Sequence, residues 1–329
     1  MKLQRVDPRD DQAVTESLAL AEAARGVDTP WSPPQTRRAF VASLVHGWDG
    51  EPGEQWLYRN SDGQVVGRLS LHFPQRDNTH MASLEVLVHP GERRKGHGTA
   101  LLTEGLERVR QAGRRLAIAG TVAEPGASAF AERHGFTRAS VEVQRRQDLS
   151  TVDHARIAEL REAARQAASD YTLLRFVGAV PDDLVDDVAA LTAAMNDAPT
   201  DDYEIEDEVY DAKRIRAFEA AQEAAGTRLY RLVARLGNGG PLAGHTIVGV
   251  PEDLPGWAWQ FDTAVAREHR GHRLGLLLKA EMVAWLQEAE PDVRRIDTWN
   301  AESNAHMIAV NEQLGYRIWA RYYGWQRRL

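Results

Sequence analysis

The chain has no cysteine among its 329 residues, which removes disulfide scaffolds, thiolate metal sites and cysteine nucleophiles together. It also lacks an excess of positive charge. Forty Lys and Arg stand against 48 Asp and Glu, for a formal net charge of -8, so there is no basic field for nucleic acid, and small or cationic partners fit better. No apolar run approaches the length of a bilayer span, and the opening "MKLQRVDPRDDQ" has no apolar signal-type core; no membrane partner and a cytoplasmic location are expected. The eleven histidines, His269 and His272 among them, show no metal-ligand spacing, and no metal is expected. What is present is length and 43% hydrophobic residues, enough for two domains.

Patterning divides the chain into two similar successions. "AVTESLALAEAARG" and "PPQTRRAFVASLVHGW" read as helices, "QWLYRN" and "QVVGRLSLHF" as a hairpin around "SDG", and "MASLEVLV" as a strand stopped by Pro90. A helix follows with Leu101, Leu102, Leu106 and Val109 on one face, then the strand "RRLAIAG", a short helix ending at Gly135 and a closing strand "SVEVQRRQDL". Residues 150–169 are alanine-rich and charged without a strong apolar stripe, and read as a helical linker between domains spanning 1–149 and 170–329. After it the same order begins again, with "GNGG" at Gly237 to Gly240 as a hairpin turn. Val88, Arg93 and Gly98 recur as Val265, Arg270 and Gly275 at a constant offset of 177 residues, and the same offset carries Glu85 onto Asp262. This is a repeat of domain size.

The repeated segments, "HPGERRKGHGTALL" from His89 and "AREHRGHRLGLLLK" from Ala266, each feed a glycine-bearing bend into a helix. A helix N-terminus leaves several N–H groups without intrahelical partners and adds the positive end of the macrodipole, so phosphate is the natural guest. The pattern V-x-P-x-x-R-x-x-G-x-G from Val88 to Gly98 resembles the acyl-coenzyme A pyrophosphate loop of the GNAT N-acetyltransferase superfamily, Q/R-x-x-G-x-G/A. The second copy keeps Arg270 and Gly275 but has Arg273 at the inner glycine. "NAHMIAVNEQLGY", from Asn304 to Tyr316, resembles the family's later N-x-x-A-x-x-x-Y-x-x-x-G-F/Y segment, and the first half ends similarly in "HGF". The tandem layout is similar to that of two-domain members of the mycothiol synthase type.

The resemblance implies an α/β fold with a mixed α+β sheet: two tandem domains, each a mostly antiparallel sheet with a splayed central strand pair, flanked by helices. It implies acetyl-CoA as cosubstrate, held by Val88, Arg93, Arg94, Lys95, Gly96, His97, Gly98 and Thr99 in the first half. In the second half the corresponding residues are Val265, Arg270, Gly271, His272, Arg273, Leu274, Gly275 and Leu276, with Asn304. The implied reaction is direct transfer of acetyl to an amine, with a backbone N–H polarising the thioester carbonyl. An alkylamine with pKa near ~10.4 must lose a proton first, and Asp262 or Glu85 could take it; the alternative is that each is an ordinary hydrogen-bonded strand residue. The family's tyrosine acid is replaced by Ala131 and Asn311, leaving Tyr322 or Tyr323 as substitutes. With Asn304 retained where the first half has Glu124, the C-terminal half is the expected catalyst.

For the acceptor, a small-molecule amine is expected. The six carboxylates of "DDYEIEDE", Asp201 to Glu208, would attract a cationic one, and Trp257, Trp259, Trp299, Trp319 and Trp325 suggest an aromatic-lined cavity in the second half. A noncatalytic acyl-CoA-binding module and a protein or peptide N-acetyltransferase are the alternatives.

Overall fold

The computed structural model describes residues 3–329 and divides into two compact units. One gathers the chain as far as Ser140 together with Asp202–Asp207 and Tyr322–Leu329; the other gathers Val141–Asp201 and Glu208–Arg321.

The first unit runs β1 (Leu3–Arg5), α1 (Asp11–Asp28), α2 (Arg37–His46), β2 (Glu54–Arg59), β3 (Val65–His72), β4 (Met81–Val88), α3 (His97–Gln111), β5 (Leu116–Val122), α4 (Pro125–Arg133) and the start of β6 (Thr137–Asp148). Asp10 and Thr36 cap the N-termini of α1 and α2 through their side chains, as their positions before the apolar runs require. Strands β1 to β4 are antiparallel. The α3 crossover makes β4 and β5 parallel, but only over Met81–Ser83 against Leu116–Ile118. Beyond Ser83 the two part while β4 stays paired to β3 as far as Val88. Leu101, Leu102, Leu106 and Val109 of α3 close one face of the sheet over Leu69, Leu71 and Leu84; Val14 and Phe40, from α1 and α2, close the other over Leu57.

The second unit repeats the plan with α5 (His154–Ala167), β7 (Tyr171–Val177), α6 (Val185–Thr192), α7 (Ala212–Ala224), β8 (Thr227–Leu236), β9 (Leu242–Pro251), β10 (Trp257–Val265), α8 (Leu274–Ala289), β11 (Arg295–Ala301), α9 (Ala305–Gln313) and β12 (Arg317–Arg328). Strands β7 to β10 are antiparallel. Strands β10 and β11 are parallel over Trp257–Trp259 against Arg295–Asp297 and then part. The expected splay is therefore present in both units, and the mixed, largely antiparallel sheet flanked by helices is as the sequence implied.

The closing strands are exchanged. Strand β5 is closed in the first unit by Tyr322–Arg328 of β12, while Glu142–Asp148 of β6 closes β11 in the second. Two sequence expectations change as a result. Trp325 is buried in the first unit's core, its indole N–H donating to Thr121 Oγ1 at 2.9 Å, so it lines no cavity in the second. Tyr323 sits opposite Thr121 of β5, so it belongs to the unit that holds Glu85 and not to the unit that holds Asp262.

The segment read as a linker is α5, and it packs as part of a core. Ile157, Leu160 and Ala164 recur at helical spacing and are buried with Leu277, Leu278 and Val283 of α8. That cover explains why α8 is apolar almost all round whereas α3 is amphipathic. Lys279 of α8 is buried too, its Nζ 4.7 Å from the Tyr316 ring centroid. Burial lowers this ammonium to about 7, against an unfolded value near ~10.4. Between those limits the unfolded chain binds the extra proton, so stability rises with pH across the window. Melting temperatures should climb from about pH 7 towards roughly pH 10, and Lys279→Met should flatten that climb. No helix of the described residues is long and apolar enough to cross a membrane.

Candidate functional site: two anion-binding turns and a shielded carboxylate

Each turn between a splayed strand and the following helix has the same backbone. In the first, Arg94 (φ 67°) and Gly96 (φ 89°) are left-handed; in the second, at the constant offset, Gly271 (φ 88°) and Arg273 (φ 59°) are. Two left-handed positions are needed per turn, and each copy supplies one glycine and one arginine in opposite order. Arg273 thus adopts the conformation the missing glycine would have had, at the modest strain such a residue carries there.

In both copies this geometry leaves six consecutive main-chain N–H groups, Arg94–Thr99 and Gly271–Leu276, without an acceptor among the described residues. The neighbouring N–H groups are paired, Arg93 and Arg270 to the carbonyls of Pro90 and Arg267, and Ala100 and Leu277 to those of Gly96 and Arg273. Neither α3 nor α8 has a side-chain cap, and a Cβ added at Gly96 or Gly271 would meet nothing within 4 Å. Donors converging at an uncapped helix N-terminus with open space above them suit a diphosphate.

The two arginines that recur in register are each held by a carboxylate of their own unit. Arg93 Nε donates to the Val88 carbonyl at 3.2 Å, and its two Nη atoms form a fork with Asp28 at the end of α1, at 2.8 and 2.6 Å. Arg270 repeats this, with Nε to Val265 O at 3.2 Å and Nη2 to Asp197 at 2.5 Å; Arg267 reaches the same carboxylate at 2.6 Å. Both guanidinium groups hold the base of the turn. Lys95 is paired with Glu92 at 3.0 Å, whereas Arg94 and Arg273 have no partner among the described residues and stand on the turns. His97 packs edge-on to Tyr58, and His272 packs against Tyr171. Thr99 Oγ1 is 3.2 Å from His134 Nε2. Gly98 is tight, since a Cβ there would lie 3.4 Å from Phe130. Leu274, Gly275 and Leu276 contribute through their backbone, their own bulk being buried.

The two carboxylates sit in unlike surroundings. Glu85 lies opposite Ser70 in an unbroken β3–β4 register; it accepts from Ser70 at 3.1 Å and Arg68 at 3.4 Å, and its side chain is 55% exposed. Strand β10, by contrast, carries a bulge. Gln260 pairs with Val248 and Thr263 with Thr246, so Phe261 and Asp262 together face the single residue Ile247. Counting alternately from each side of the bulge places both Phe261 and Asp262 on the sheet face covered by α6 and α7. The Asp262 carboxylate has no hydrogen-bond partner among the described residues. Burial raises its pKa, and the negative charge of Glu208 adds to the rise while Arg231 opposes it.

The remaining candidates divide. Asn304 caps α9 through its side-chain oxygen, which accepts from Met307 N at 3.1 Å, a structural role alongside any contact with cosubstrate. Asn311 is fully buried and donates to Asn300 at 2.8 Å, its own Oδ1 unpaired. The acidic run is not one charged mouth. Glu204 is forked to Arg328 at 2.9 Å in the first unit, Glu208 binds Arg214 at 3.0 Å in the second, and Asp201 accepts from Ser303 at 2.5 Å. Trp257, Trp259 and Trp299 do form a row, with centroids 5.9 and 6.0 Å apart. Trp319 stacks 4.3 Å from Arg146, which is forked to the buried Asp297. The bulge, the Asp28 and Asp197 clamps and the buried Arg231 escaped the sequence reading. Arg231 alone left a visible signal, an arginine between Leu229 and Val233 on the inward positions of a strand.

The model of the acetyltransferase (GNAT) family matches residues 15–136 and again 192–316. Among solved structures, a tandem GNAT protein from the clavulanic acid biosynthesis pathway superposes with a TM-score of 0.83 at 31% identity, covering 99% of this chain and 98% of that one. A GCN5-related N-acetyltransferase from Sphaerobacter thermophilus shares the fold at 17% identity, with a TM-score of 0.69 over 99% and 95% of the two chains. Among curated relatives, the mycothiol acetyltransferase of Stackebrandtia nassauensis is 36% identical over 43% of this chain and 45% of its own length. That of Kineococcus radiotolerans is 44% identical over 37% and 38%. The chain therefore spans less than half the length of these curated relatives. The family model matches in both repeats, and each repeat carries the splayed strands and the open turn: the chain belongs to the acetyltransferase (GNAT) family, as a tandem member.

Proposed function

We propose that this protein transfers an acetyl group from acetyl-CoA to the amine of a small molecule, and that the second unit is the catalyst. The observation that carries the choice of unit is the bulge in β10, which turns Asp262 onto the α6–α7 face as a shielded, unpaired carboxylate beside the point where β10 and β11 part. A general base is most effective when its pKa approaches the working pH, and Asp262 is raised in that direction. Glu85, exposed and already bonded to Ser70 and Arg68, has no such shielding.

Acetyl-CoA, when bound, supplies an activated acyl thioester; the chain's own residues supply binding and proton removal. The N–H groups of Gly271–Leu276 and the free Arg273 guanidinium hold the diphosphate. The edge of β10 beyond Trp259, released from β11, offers backbone donors to the acyl end. Asp262 removes the ammonium proton directly or through water, freeing the lone pair that forms the new N–C bond; the C–S bond breaks, and the second proton shed by the nitrogen passes to the departing thiolate. A thiol of pKa about 8.5 is a tolerable leaving group, so Ala131 and Asn311 in place of a tyrosine are compatible with turnover. The first unit's turn, with the same six donors, binds acetyl-CoA without turning it over.

The test is thiol release from acetyl-CoA against a panel of small amines, with peptides included. Amine-dependent release by the wild-type chain is expected. Tight cofactor binding with no release for any amine would instead identify a binding module, and release only with peptides would shift the acceptor to protein.

A further inference from the structure

Strand β8 carries an arginine where its neighbours are apolar. Leu229, Arg231 and Val233 alternate onto the face beneath α6 and α7, Leu229 packing with Phe218 and Ile247 and Val233 with Val188 and Ile215. Arg231 is 1% exposed, and its Nε, Nη1 and Nη2 all lack a partner among the described residues. The nearest carboxylate oxygen is Glu219 Oε1, 3.9 Å from Nη2. That oxygen already accepts Val180 N–H at 2.9 Å, and Oε2 accepts Arg216 at 2.6 Å. Glu219 offers Arg231 attraction through space but no hydrogen bond.

His245, on the adjacent strand β9, lies on the same face. It is fully buried, and neither ring nitrogen has a partner among the described residues. Burial and the Arg231 charge lower it to about 3, so it is a neutral imidazole with one donor and one acceptor to offer. On β10 the bulge adds Asp262, whose charge and that of Arg231 act on each other. Three neighbouring strands thus present a guanidinium, an imidazole and a carboxylate, none of them hydrogen-bonded among the described residues, to one face of one unit. Buried polar groups are normally hydrogen-bonded, and a buried charge without hydrogen bonds is costly. Such a cost persists where a ligand completes the arrangement.

We propose that Arg231 receives a carboxylate of the acceptor, with His245 as its second polar contact, so that the acceptor is a small zwitterion carrying both an amine and a carboxylate. The planar fork of arginine matches a carboxylate in two-point contact, while Asp262, of opposite sign, attends the amine. The net charge of such an acceptor is near zero, unlike the cationic acceptor the acidic run suggested. The proposal rests on the second unit being the site of transfer.

The experiment compares L-amino acids, a β-amino acid and a γ-amino acid, each against its own amide. Thiol release from acetyl-CoA and the melting temperature with each compound are measured for the wild type, Arg231→Met and Arg231→Lys. The wild type should favour at least one acid over its amide by more than about 10²-fold in kcat/KM. Arg231→Met should lower that ratio at least tenfold, chiefly through KM, and melt no lower than the wild type because three buried N–H-bearing atoms without hydrogen bonds are gone. Arg231→Lys, which keeps charge but not the fork, should fall between them. Preference for amides, or an acid preference that survives Arg231→Met, would overturn the proposal. If no compound supports release, transfer to small amines fails separately, and the melting data decide the ligand. Acids that raise the wild-type melting temperature but not that of Arg231→Met uphold the carboxylate site; no shift with any acid, or the same shift in both proteins, would leave Arg231 a hydrated structural residue.

Discussion

Asp262→Asn is expected to lower kcat by ~10²–10⁴-fold, the range associated with losing a positioned proton acceptor, while leaving acetyl-CoA affinity within about twofold, since the carboxylate lies on the strand and not on the turn. The equivalent change in the first unit, Glu85→Gln, is expected to cost less than about threefold, because that exposed carboxylate already spends its lone pairs on Ser70 and Arg68. The wild-type acid limb of kcat/KM should lie above the ordinary aspartate value near ~3.9, in keeping with the upward shift that burial causes at Asp262; Asp262→Asn should abolish it. The stability effect has the opposite sign. A carboxyl whose folded pKa is raised contributes stability below its unfolded value and loses it as pH rises through the folded one. At neutral pH the asparagine variant should therefore melt no lower than the wild type. A rate loss matched by an equal loss in the Glu85 variant, or an unchanged acid limb, would refute the assignment of the base.

Arg273→Asp should weaken acetyl-CoA binding in the second unit by at least ~10²-fold. A carboxylate is placed where six N–H donors and the positive end of α8 converge, so the attraction at a helix N-terminus, up to ~2 kcal/mol, is opposed by a like charge. At about 4 Å and an effective dielectric near 20, that charge repels a phosphate by roughly 4 kcal/mol. Aspartate tolerates left-handed backbone better than most side chains, so the fold at φ 59° is retained. Gly96→Asp adds a carboxylate at the matching position of the first unit, without removing a cation and at a more strained φ of 89°. Calorimetry should count two acetyl-CoA equivalents in the wild type and one in each variant. Turnover should collapse with Arg273→Asp and fall less than about tenfold with Gly96→Asp; the reverse ranking would transfer catalysis to the first unit.

Much of this was visible in the residues alone. Two turns 177 positions apart reveal themselves because the backbone they need is rare, and glycine with flanking arginines records it directly. The helix α3 shows its buried stripe through Leu101, Leu102, Leu106 and Val109. Other features depend on what lies across from a residue, which one strand cannot encode. "WAWQFDTAV" carries no mark that Phe261 and Asp262 share one partner; the extra residue exists only relative to β9. Tyr323 and Trp325 read as ordinary strand aromatics, and nothing local says that they sit against Thr121 and Ala119. Helix α5 misled because Ile157, Leu160 and Ala164 make a thin stripe among charges, sufficient against α8 but weak in isolation. That Arg93 and Arg270 are clamped by Asp28 and Asp197 could not be read beforehand, because those carboxylates lie in distant sequence.

The exchanged closing strands tie the two halves of the chain together. Severing the chain after Leu149 would leave β5 bare along Leu116–Val122 and carry away Trp325, while the other fragment would keep β11 but lose Glu142–Asp148, the stretch that completes it. Exposed sheet edges of that kind recruit whatever strand is at hand, so the freed pieces would associate or re-close on the wrong segment. One half could lose its chemistry and still be required, because each supplies the strand that completes the other's sheet.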